Sequence, residues 1–305
     1  MQSLLIDIGG SGIKYATLRS DEFPVLRNEG RRSNVENSTE GMIAAIAEIY
    51  QKFRDEVDNI AVSACMVLDT ESGYIYAGGT YNHVCDVNLR DLISRACDDK
   101  LVTIESDGDC CLRAELAYGV LQGCKNAAAF VFGSGIGCAF IADGHLIRGH
   151  NCAAGEVSWC MADSKYGGGR MTLWGGVSGI NFACNRLSKR RGQPEGSANG
   201  FDLFRLYREG NKDAVAVLDE MCEEAAKQIF NCCMLLSPEK IAIGGGISSE
   251  PELLELICAK MAKHYDAIRY FTSLKCPEIT AAKYHNQANL LGAYARLQET
   301  VNEMK

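Results

Sequence analysis

The sequence lacks any long uninterrupted apolar run, although 47% of its 305 residues are hydrophobic. No stretch approaches the roughly 20 apolar residues that a membrane-spanning helix needs. The N-terminal stretch SLLI is too short for the core of a secretory signal, and no basic region precedes it. The sequence therefore predicts a cytoplasmic protein with no membrane partner.

The sequence also has no extended basic segment. Its formal net charge is -8, and its one basic run, SKRRG at 188–192, is short. Surfaces that bind nucleic acids need clustered Lys and Arg. The run is more typical of a solvated helix end than of an anion contact, so no nucleic-acid partner is predicted.

No C-x-x-C pair occurs, although the chain has 15 cysteines. Most stand inside apolar stretches, such as Cys138 in GCAFIA and Cys258 in LLELICAKM. This distribution favours buried, reduced thiols that pack as small hydrophobic side chains. It gives little support to a disulfide framework or a structural zinc site.

What the chain does contain is a repeated pattern of strand, glycine turn and strand. SLLIDIG and KYATLRS predict a hairpin around the turn at 9–12, and AAAFVFGSGIGCAFIADG repeats it about 125 residues later. Elsewhere strands alternate with helices, as in LVTIES followed by DGDCCLRAELAYGV. The pattern predicts an α/β fold with an internal duplication and two domains.

The glycine turns are candidates for binding an anion. Glycine permits close approaches of the backbone, and successive N–H groups in such a turn can form a concave anion site. The first turn matches neither the Walker A pattern nor G-x-G-x-x-G, and alone it would be an ordinary hairpin. Three such turns, at 9, 133 and 244, each after an apolar strand, favour a nucleotide held by two domains.

Four ordered motifs give the chain a wider resemblance. DIGGSGIK, ESDGD, GSGIGCAFIADGHLIRGHNCAAGEVSW and IAIGGGIS resemble the ROK family of repressors, open reading frames and kinases. The resemblance implies the two-lobed actin-like ATPase (ribonuclease H-like) fold, with one lobe at 1–120 plus 286–305 and the other at 121–285. It also implies transfer of the γ-phosphoryl group of ATP to a sugar hydroxyl, and a homodimer formed through the second lobe, as in many members.

The resemblance assigns the nucleotide-binding residues. Those at the ATP phosphates are Asp7, Gly9, Gly10, Ser11, Gly12, Lys14, Gly133, Ser134, Gly135 and Gly137, and those at the adenosine are Gly244, Gly245 and Gly246. Asp7 is expected to hold a water of the Mg²⁺ ion rather than the metal itself, since Mg²⁺ commonly keeps waters and substrate phosphates as ligands. Lys14 is read either as a phosphate contact or as a surface lysine of the hairpin.

The resemblance also assigns the sugar site. Asp107 matches the general base that takes the proton of the attacking hydroxyl, and Glu156 matches a ligand of a sugar hydroxyl. Asp107 has a second reading as a helix N-cap, for which Asp109 is the better candidate. Ser106 stands where the family usually has a sugar-binding Asn, and Asp109 replaces another Asn. Further candidate hydroxyl contacts are Gly79 and Asn82.

The chain departs from the family where many members carry a His and a C-x-C-G-x-x-G-C zinc cluster. Trp159 stands in place of the His, and Cys160 has no such cluster after it, so no structural zinc is expected. The β-glucoside kinase branch also lacks the cluster, and the segment SGYIYAGGTYNHVCDVNLRDLI is similar to that branch. Its members phosphorylate the 6-hydroxyl of cellobiose-like sugars. Trp159 either stacks on a sugar ring or fills the core.

Three functions follow from these readings. The first is a kinase that uses Mg-ATP on a hexose or β-glucoside. The second, a DNA-binding repressor, is not expected, because Asp7 begins the first domain without room for a helix-turn-helix. The third is a catalytically weak regulatory module that binds sugar and ATP, which the residues at 106, 109 and 159 keep open. The sequence leaves open the sugar, the hydroxyl and a donor other than ATP.

Overall fold

The computed structural model describes residues 1–133, 135–162 and 173–305. The strands of these residues are β1 (Gln2–Gly9), β2 (Gly12–Arg19), β3 (Arg27–Arg32), β4 (Asn59–Ala64), β5 (Val67–Asp69), β6 (Tyr74–Ala77), β7 (Val87–Asn88), β8 (Leu101–Ser106), β9 (Ala127–Phe132), β10 (Ile136–Ala142), β11 (His145–Leu146), β12 (Lys240–Gly244) and β13 (Glu278–Ala281). The helices are α1 (Thr39–Gln51), α2 (Leu89–Ala96), α3 (Asp107–Tyr118), α4 (Trp174–Ser178), α5 (Ile180–Arg190), α6 (Gly200–Arg208), α7 (Lys212–Leu236), α8 (Pro251–Ile268) and α9 (Ala288–Glu303).

The chain folds into two compact units. Unit 1 comprises Met1–Gln122, Arg148–Ala154 and Gln287–Lys305, and unit 2 comprises Gly123–Ile147 and Gly155–Asn286. The segment Arg148–Ala154 differs from the sequence expectation, which placed it in the second lobe. Its Arg148 forms an ion pair with the buried Glu105 of β8, and this contact explains why the segment groups with unit 1.

Unit 1 contains a five-stranded sheet in the order β3-β2-β1-β4-β8. Strands β1 and β2 form the predicted hairpin, and β1, β4 and β8 run parallel. Successive residues of a strand point to opposite faces. Leu4, Ile6 and Ile8 join the apolar side of α1 in one buried core, while α9 packs against β1 and β4 and also against α3.

Unit 2 repeats this arrangement. Its sheet has the order β11-β10-β9-β12-β13, in which β9 and β10 are the hairpin and β9, β12 and β13 are parallel. Phe130, Ile241 and Ile243 of this sheet share a buried core with the long helices α7 and α8. The matching strand orders confirm the duplication that the repeated glycine turns predicted.

Three details differ from the pattern of the sequence. The helical region expected at about 201–236 is two helices, because Gly210 adopts a φ of +73° and Asn211 caps α7. The continuous strand expected over NIAVSACMV divides into β4 and β5. Strand β3 was not predicted, since its residues RNEGRR show no apolar alternation.

About half of the cysteines are buried, in keeping with the apolar surroundings that the sequence shows, and a further seven are partly buried. Seven of the 15 thiols are buried, and Cys160 is the exposed one. Burial raises the pKa of the Cys222 thiol to about 12, so this group packs as an unreactive apolar side chain. In the described part of the chain, no helix is both long enough and apolar enough to span a bilayer.

Candidate active site

The polar residues of unit 1 gather at one edge of its sheet. The parallel strands β1, β4 and β8 end at Gly9, Ala64 and Ser106, and their register places these ends side by side. Because neighbouring strands lie about 5 Å apart, the ends of β1 and β8 are separated by roughly 10 Å. Ligands of open α/β sheets bind at such carboxyl edges, so the first glycine turn and Asp107 occupy a favourable position.

Asp7 is a buried carboxylate near the end of β1. The exposed fraction of this residue is 2%, and its Oδ1 accepts hydrogen bonds of 3.1 Å from Ser63 Oγ and from Asn289 Nδ2. Its Oδ2 faces the ammonium of Lys14 at 3.7 Å. These contacts satisfy one carboxylate oxygen and leave the other available to a further donor.

The first glycine turn is a two-residue hairpin loop made of Gly10 and Ser11. Gly12 follows with a φ of +132°, and a Cβ built on it would lie 2.6 Å from the carbonyl oxygen of Arg32. Only glycine therefore fits at this position. Arg31 of β3 reaches over the turn, where its Nη2 donates to Ser11 Oγ at 2.7 Å and to the carbonyl oxygen of Ser11 at 2.9 Å.

Asp107 is the first residue of α3, directly after the end of β8. Its Oδ1 accepts a hydrogen bond of 2.8 Å from the backbone N–H of Gly108. The N-cap of the helix is Ser106, whose Oγ accepts from the backbone N–H of Asp109 at 3.2 Å. The reading of Asp107 or Asp109 as the cap is therefore wrong, because the serine hydroxyl already satisfies that amide.

A buried network of charges lies directly behind Ser106. Glu105 accepts hydrogen bonds from Thr70 at 2.6 Å, from Arg113 at 3.1 Å and from Arg148 at 2.8 Å. Burial opposes ionisation of Glu105, but the two arginines outweigh that effect and hold the pKa of its carboxyl below the ordinary value. Burial and the adjacent Glu105 raise the pKa of Asp109 well above its ordinary value. The neutral form of Asp109 is thus favoured by its surroundings, although Arg148 Nε lies 3.8 Å from its Oδ2.

Gly79 and Asn82 lie on the loop after β6. Gly79 has a φ of +59°, and a Cβ on it would lie 2.5 Å from the carbonyl oxygen of Cys65, just beyond β4. Tyr81, between them, donates from its hydroxyl to the carbonyl oxygen of Gly9 at 3.4 Å. The loop therefore belongs to the same edge of unit 1, where Asn82 is exposed and accepts a hydrogen bond from Asn37.

In unit 2 the second and third glycine turns are neighbours. Gly133 follows β9 and Gly245 follows β12, and these two strands are adjacent and parallel. Gly245 has a φ of +90°, and a Cβ on it would lie 2.2 Å from the carbonyl oxygen of Phe132. Gly133 donates from its backbone N–H to the carbonyl of Gly135 at 3.0 Å.

The other glycines assigned to the nucleotide lie close by. Gly137 is on β10, opposite Val131 of β9, and Gly244 is the last residue of β12. Gly246 follows Gly245, whose carbonyl oxygen accepts a hydrogen bond of 2.8 Å from Ser248 Oγ. Ser134, the remaining predicted phosphate contact of this unit, lies outside the described residues.

Glu156 and Trp159 belong to a short turn of 3-10 helix in unit 2. The preceding Gly155 has a φ of +96°, and a Cβ on it would lie 2.5 Å from the carbonyl oxygen of Cys138, which fixes the start of the turn against β10. Burial raises the pKa of the Glu156 carboxyl. Trp159 is 51% exposed, so it does not fill the core. The buried tryptophan is Trp174.

The segment expected to replace a zinc module is only partly described, because residues 163–172 lie outside the described part of the chain. Among the residues that the structure places, no group of three or more His, Cys, Asp or Glu side chains is arranged to hold a metal ion. The expectation of no structural zinc stays a prediction.

Three residues at the unit 1 edge were not found from the sequence. Ser63 and Asn289 bind Asp7, and Arg31 binds the glycine turn. Ser63 could have been found by pairing β1 with β4, because its register places it beside Asp7. Asn289 comes from a helix far along the chain, and Arg31 from a strand with no apolar pattern.

The fold and the site define a class of protein. The duplicated sheets with glycine turns at their carboxyl edges form the two-unit α/β fold of the actin-like ATPases. The family model described as ROK family matches residues 3–300. The chain therefore belongs to the ROK family.

Individual relatives align with nearly the whole length of the chain. A β-glucoside kinase of Listeria monocytogenes is 27% identical over 308 residues, which is 98% of each chain. Among solved structures, a ROK family protein from Streptococcus pneumoniae in complex with sucrose has a TM-score of 0.82 at 25% identity, and covers 99% of this chain and 100% of that one. A ROK family glucokinase from Streptomyces griseus with glucose and AMPPNP has the same TM-score at 18% identity, and covers 97% and 99%. This last likeness supports the fold alone.

Proposed function

We propose that this chain transfers the γ-phosphoryl group of ATP to the 6-hydroxyl of a hexose or of a β-glucoside such as cellobiose. Its family and its full-length likeness to a named sugar kinase make it an ATP-dependent carbohydrate kinase. The observation that carries the proposed chemistry is the position of Asp107 at the same sheet edge as Asp7 and the first glycine turn.

The phosphates are assigned to the glycine turns. In unit 1, Gly10 and Ser11 lie outside the strands, and the structure gives their backbone N–H groups no acceptor among the residues it describes. Two such amides beside each other can bind an anion. In unit 2, the neighbouring turns at Gly133 and Gly245 are the candidate contacts of the phosphates and the adenosine.

Mg²⁺ is the metal that this chemistry requires, and Asp7 fits its preference for oxygen. Oδ1 of Asp7 is occupied by Ser63 and Asn289, whereas Oδ2 has only the distant ammonium of Lys14. Oδ2 can therefore accept a hydrogen bond from a metal-bound water. When bound, the ion neutralises charge on the phosphates.

Asp107 is assigned as the general base. Phosphoryl transfer asks the protein mainly for positioning and charge stabilisation, together with a carboxylate that orients the nucleophile. Asp107 begins a helix directly after a buried strand, which holds its backbone rigidly. It accepts the proton of the sugar hydroxyl as that oxygen bonds to the γ-phosphorus and the bond to the ADP oxygen breaks.

Each unit has its own candidate sugar contacts. Those of unit 1 are Ser106, Gly79 and Asn82, and those of unit 2 are Glu156 and Trp159. The exposure of Trp159 supports stacking on a sugar ring, because an exposed aromatic face is available to a ligand. Together with the likeness to the Listeria enzyme, this favours a β-glucoside, whose second ring or aryl group offers more surface than glucose.

The test is release of ADP from Mg-ATP over a panel of glucose, mannose, fructose, N-acetylglucosamine, N-acetylmannosamine, cellobiose and an aryl β-glucoside. We expect kcat/KM to be highest for cellobiose or the aryl glucoside. A Trp159→Ala variant should lose more kcat/KM on cellobiose and the aryl glucoside than on glucose. Trp174→Ala is unsuitable as a control because that side chain is buried. Tyr270→Ala, which removes a 92% exposed aromatic side chain of the same unit, is the matched control.

Two results would contradict the proposal at different levels. A preference for glucose that is unchanged in Trp159→Ala would exclude the β-glucoside assignment but keep the kinase. Absence of turnover on every sugar, with ATP still bound, would instead support the catalytically weak regulatory module.

A further inference from the structure

Arg31 makes two hydrogen bonds to the first glycine turn. Strand β3 pairs with β2 so that Arg31 lies opposite Lys14, which in turn lies opposite Asp7 of β1. Directly paired residues of an antiparallel ladder share a face, so the three form a row across the sheet. From this row the guanidinium of Arg31 turns toward Ser11, and one nitrogen, Nη2, makes both contacts there.

The charge of Arg31 is not neutralised within unit 1, all of whose residues are described. The other arginines of this unit, apart from Arg95, form ion pairs with carboxylates: Arg19, Arg27, Arg32, Arg54, Arg90, Arg113, Arg148 and Arg296. Lys14, the cation that the motif suggested, faces Asp7. Arg31 therefore supplies the uncompensated positive charge beside the turn.

The remaining donors of Arg31 are available. The structure gives its Nε and Nη1 no acceptor among the residues it describes, and the side chain is exposed. A guanidinium has five N–H donors in a planar fork that matches the oxygens of a phosphate group. Fixing one nitrogen on Ser11 leaves the rest of this fork beside the free amides of Gly10 and Ser11.

We propose that Arg31 binds the phosphate chain of the nucleotide at the first glycine turn. This inference deepens the proposed function and rests on it. The two hydrogen bonds to Ser11 orient the guanidinium before the ligand arrives, so less side-chain freedom is lost on binding. Lys14 contributes less to phosphate binding, because its ammonium is paired with the carboxylate of Asp7.

The test compares affinities for ATP, ADP and AMP in the wild type, Arg31→Ala and Arg31→Lys, with Arg95→Ala as the matched control. Arg95 is also exposed, has no carboxylate partner in unit 1 and carries the same charge. We expect Arg31→Ala to weaken ATP and ADP by about tenfold or more, in keeping with loss of charge-assisted hydrogen bonds. AMP binding and the sugar KM should change less than about twofold. AMP lacks the phosphates beyond the first, and the sugar has none. The affinities of Arg31→Lys for ATP and ADP should lie between those of the wild type and of Arg31→Ala.

The outcomes separate this inference from the proposed function. An equal loss for all three nucleotides, or an equal effect of Arg95→Ala, would show a structural or a general charge effect and overturn the inference. So would unchanged ATP affinity in Arg31→Ala while the wild type phosphorylates a sugar. Selective loss of affinity for ATP and ADP in Arg31→Ala, in a protein that phosphorylates no sugar, would instead support the role of Arg31 and refute the proposed sugar kinase activity. A thermal melt of each variant checks that it is folded.

Discussion

The side-chain amide of Gln228 donates a hydrogen bond of 2.9 Å to the main-chain carbonyl of Met161. The same nitrogen donates to the buried Glu224 at 3.0 Å. Met161 follows the short turn that carries Glu156 and Trp159, so helix α7 fixes the end of this turn in unit 2. Gln228 is thus a positioning residue for the two candidate sugar contacts.

Replacement of Gln228 by Ala should raise the sugar KM by roughly fivefold, which corresponds to about 1 kcal/mol for one net hydrogen bond. The ATP KM and kcat should change little, because the glycine turns are not touched. Steady-state kinetics with both substrates varied gives the comparison. Gln193→Ala, at an exposed position of the same unit, is the control. Equal increases of both KM values would mean general loosening of unit 2.

The glycines at 245 and 135 should respond differently to alanine. Gly245 combines a φ of +90° with a Cβ position 2.2 Å from the Phe132 carbonyl, whereas nothing lies within 4 Å of a Cβ on Gly135. Gly245→Ala should lower the free energy of unfolding by about 2 kcal/mol or more through backbone strain and steric overlap. Gly135→Ala should melt like the wild type.

Kinetics of the same pair tests the phosphate assignment. If Gly135 lies against the phosphates, its alanine variant should raise the ATP KM by about tenfold, because a methyl group blocks close approach of the backbone. A normal melt together with a normal ATP KM would remove Gly135 from the site.

The stability of the protein should depend on pH through Asp109. A carboxyl whose pKa is higher in the folded chain than in the unfolded chain stabilises the fold less as the pH rises between the two values. Burial and Glu105 raise the pKa of Asp109, so the wild type should lose stability from about pH 4, the ordinary Asp value, toward that raised pKa. An asparagine side chain at this position is neutral at every pH and lacks this dependence.

The Asp109→Asn variant should therefore gain stability relative to the wild type with rising pH, by up to about 1.4 kcal/mol per pH unit. Thermal melts at pH 5, 6, 7 and 8 measure the difference. A melting-temperature difference that stays constant over this range would show that Asp109 is ionised throughout. Asp143→Asn, at an exposed turn of unit 2, controls for the loss of one carboxylate.

The sequence predicted the elements that depend on local pattern. The hairpins around Gly10 and Gly133 and the strands before Asp107 and Gly244 follow from apolar runs that end in glycine or acidic residues. Their duplication was visible for the same reason. The order of strands in each sheet agrees with the fold that the four motifs implied.

The remaining features depend on contacts between distant segments. Arg31 comes from a polar edge strand that no periodicity marks, and Asn289 reaches Asp7 from the other end of the chain. Ser106 caps α3 in place of either aspartate because its hydroxyl meets the amide of Asp109, a choice that composition does not determine. Nor does the sequence indicate which tryptophan is exposed: Trp174 is buried in the core of unit 2, and Trp159 is at the surface.

The most direct test of the account is a comparison of Asp107→Asn with the wild type on the best sugar of the panel, measuring kcat and the ATP dissociation constant together. A lost general base should lower kcat by about 10²-fold or more, while ATP affinity stays within about threefold because no phosphate contact is removed. That result would establish Asp107 as the base of a sugar kinase. A kcat within a few-fold of the wild type would contradict the assignment and require another residue to accept the proton.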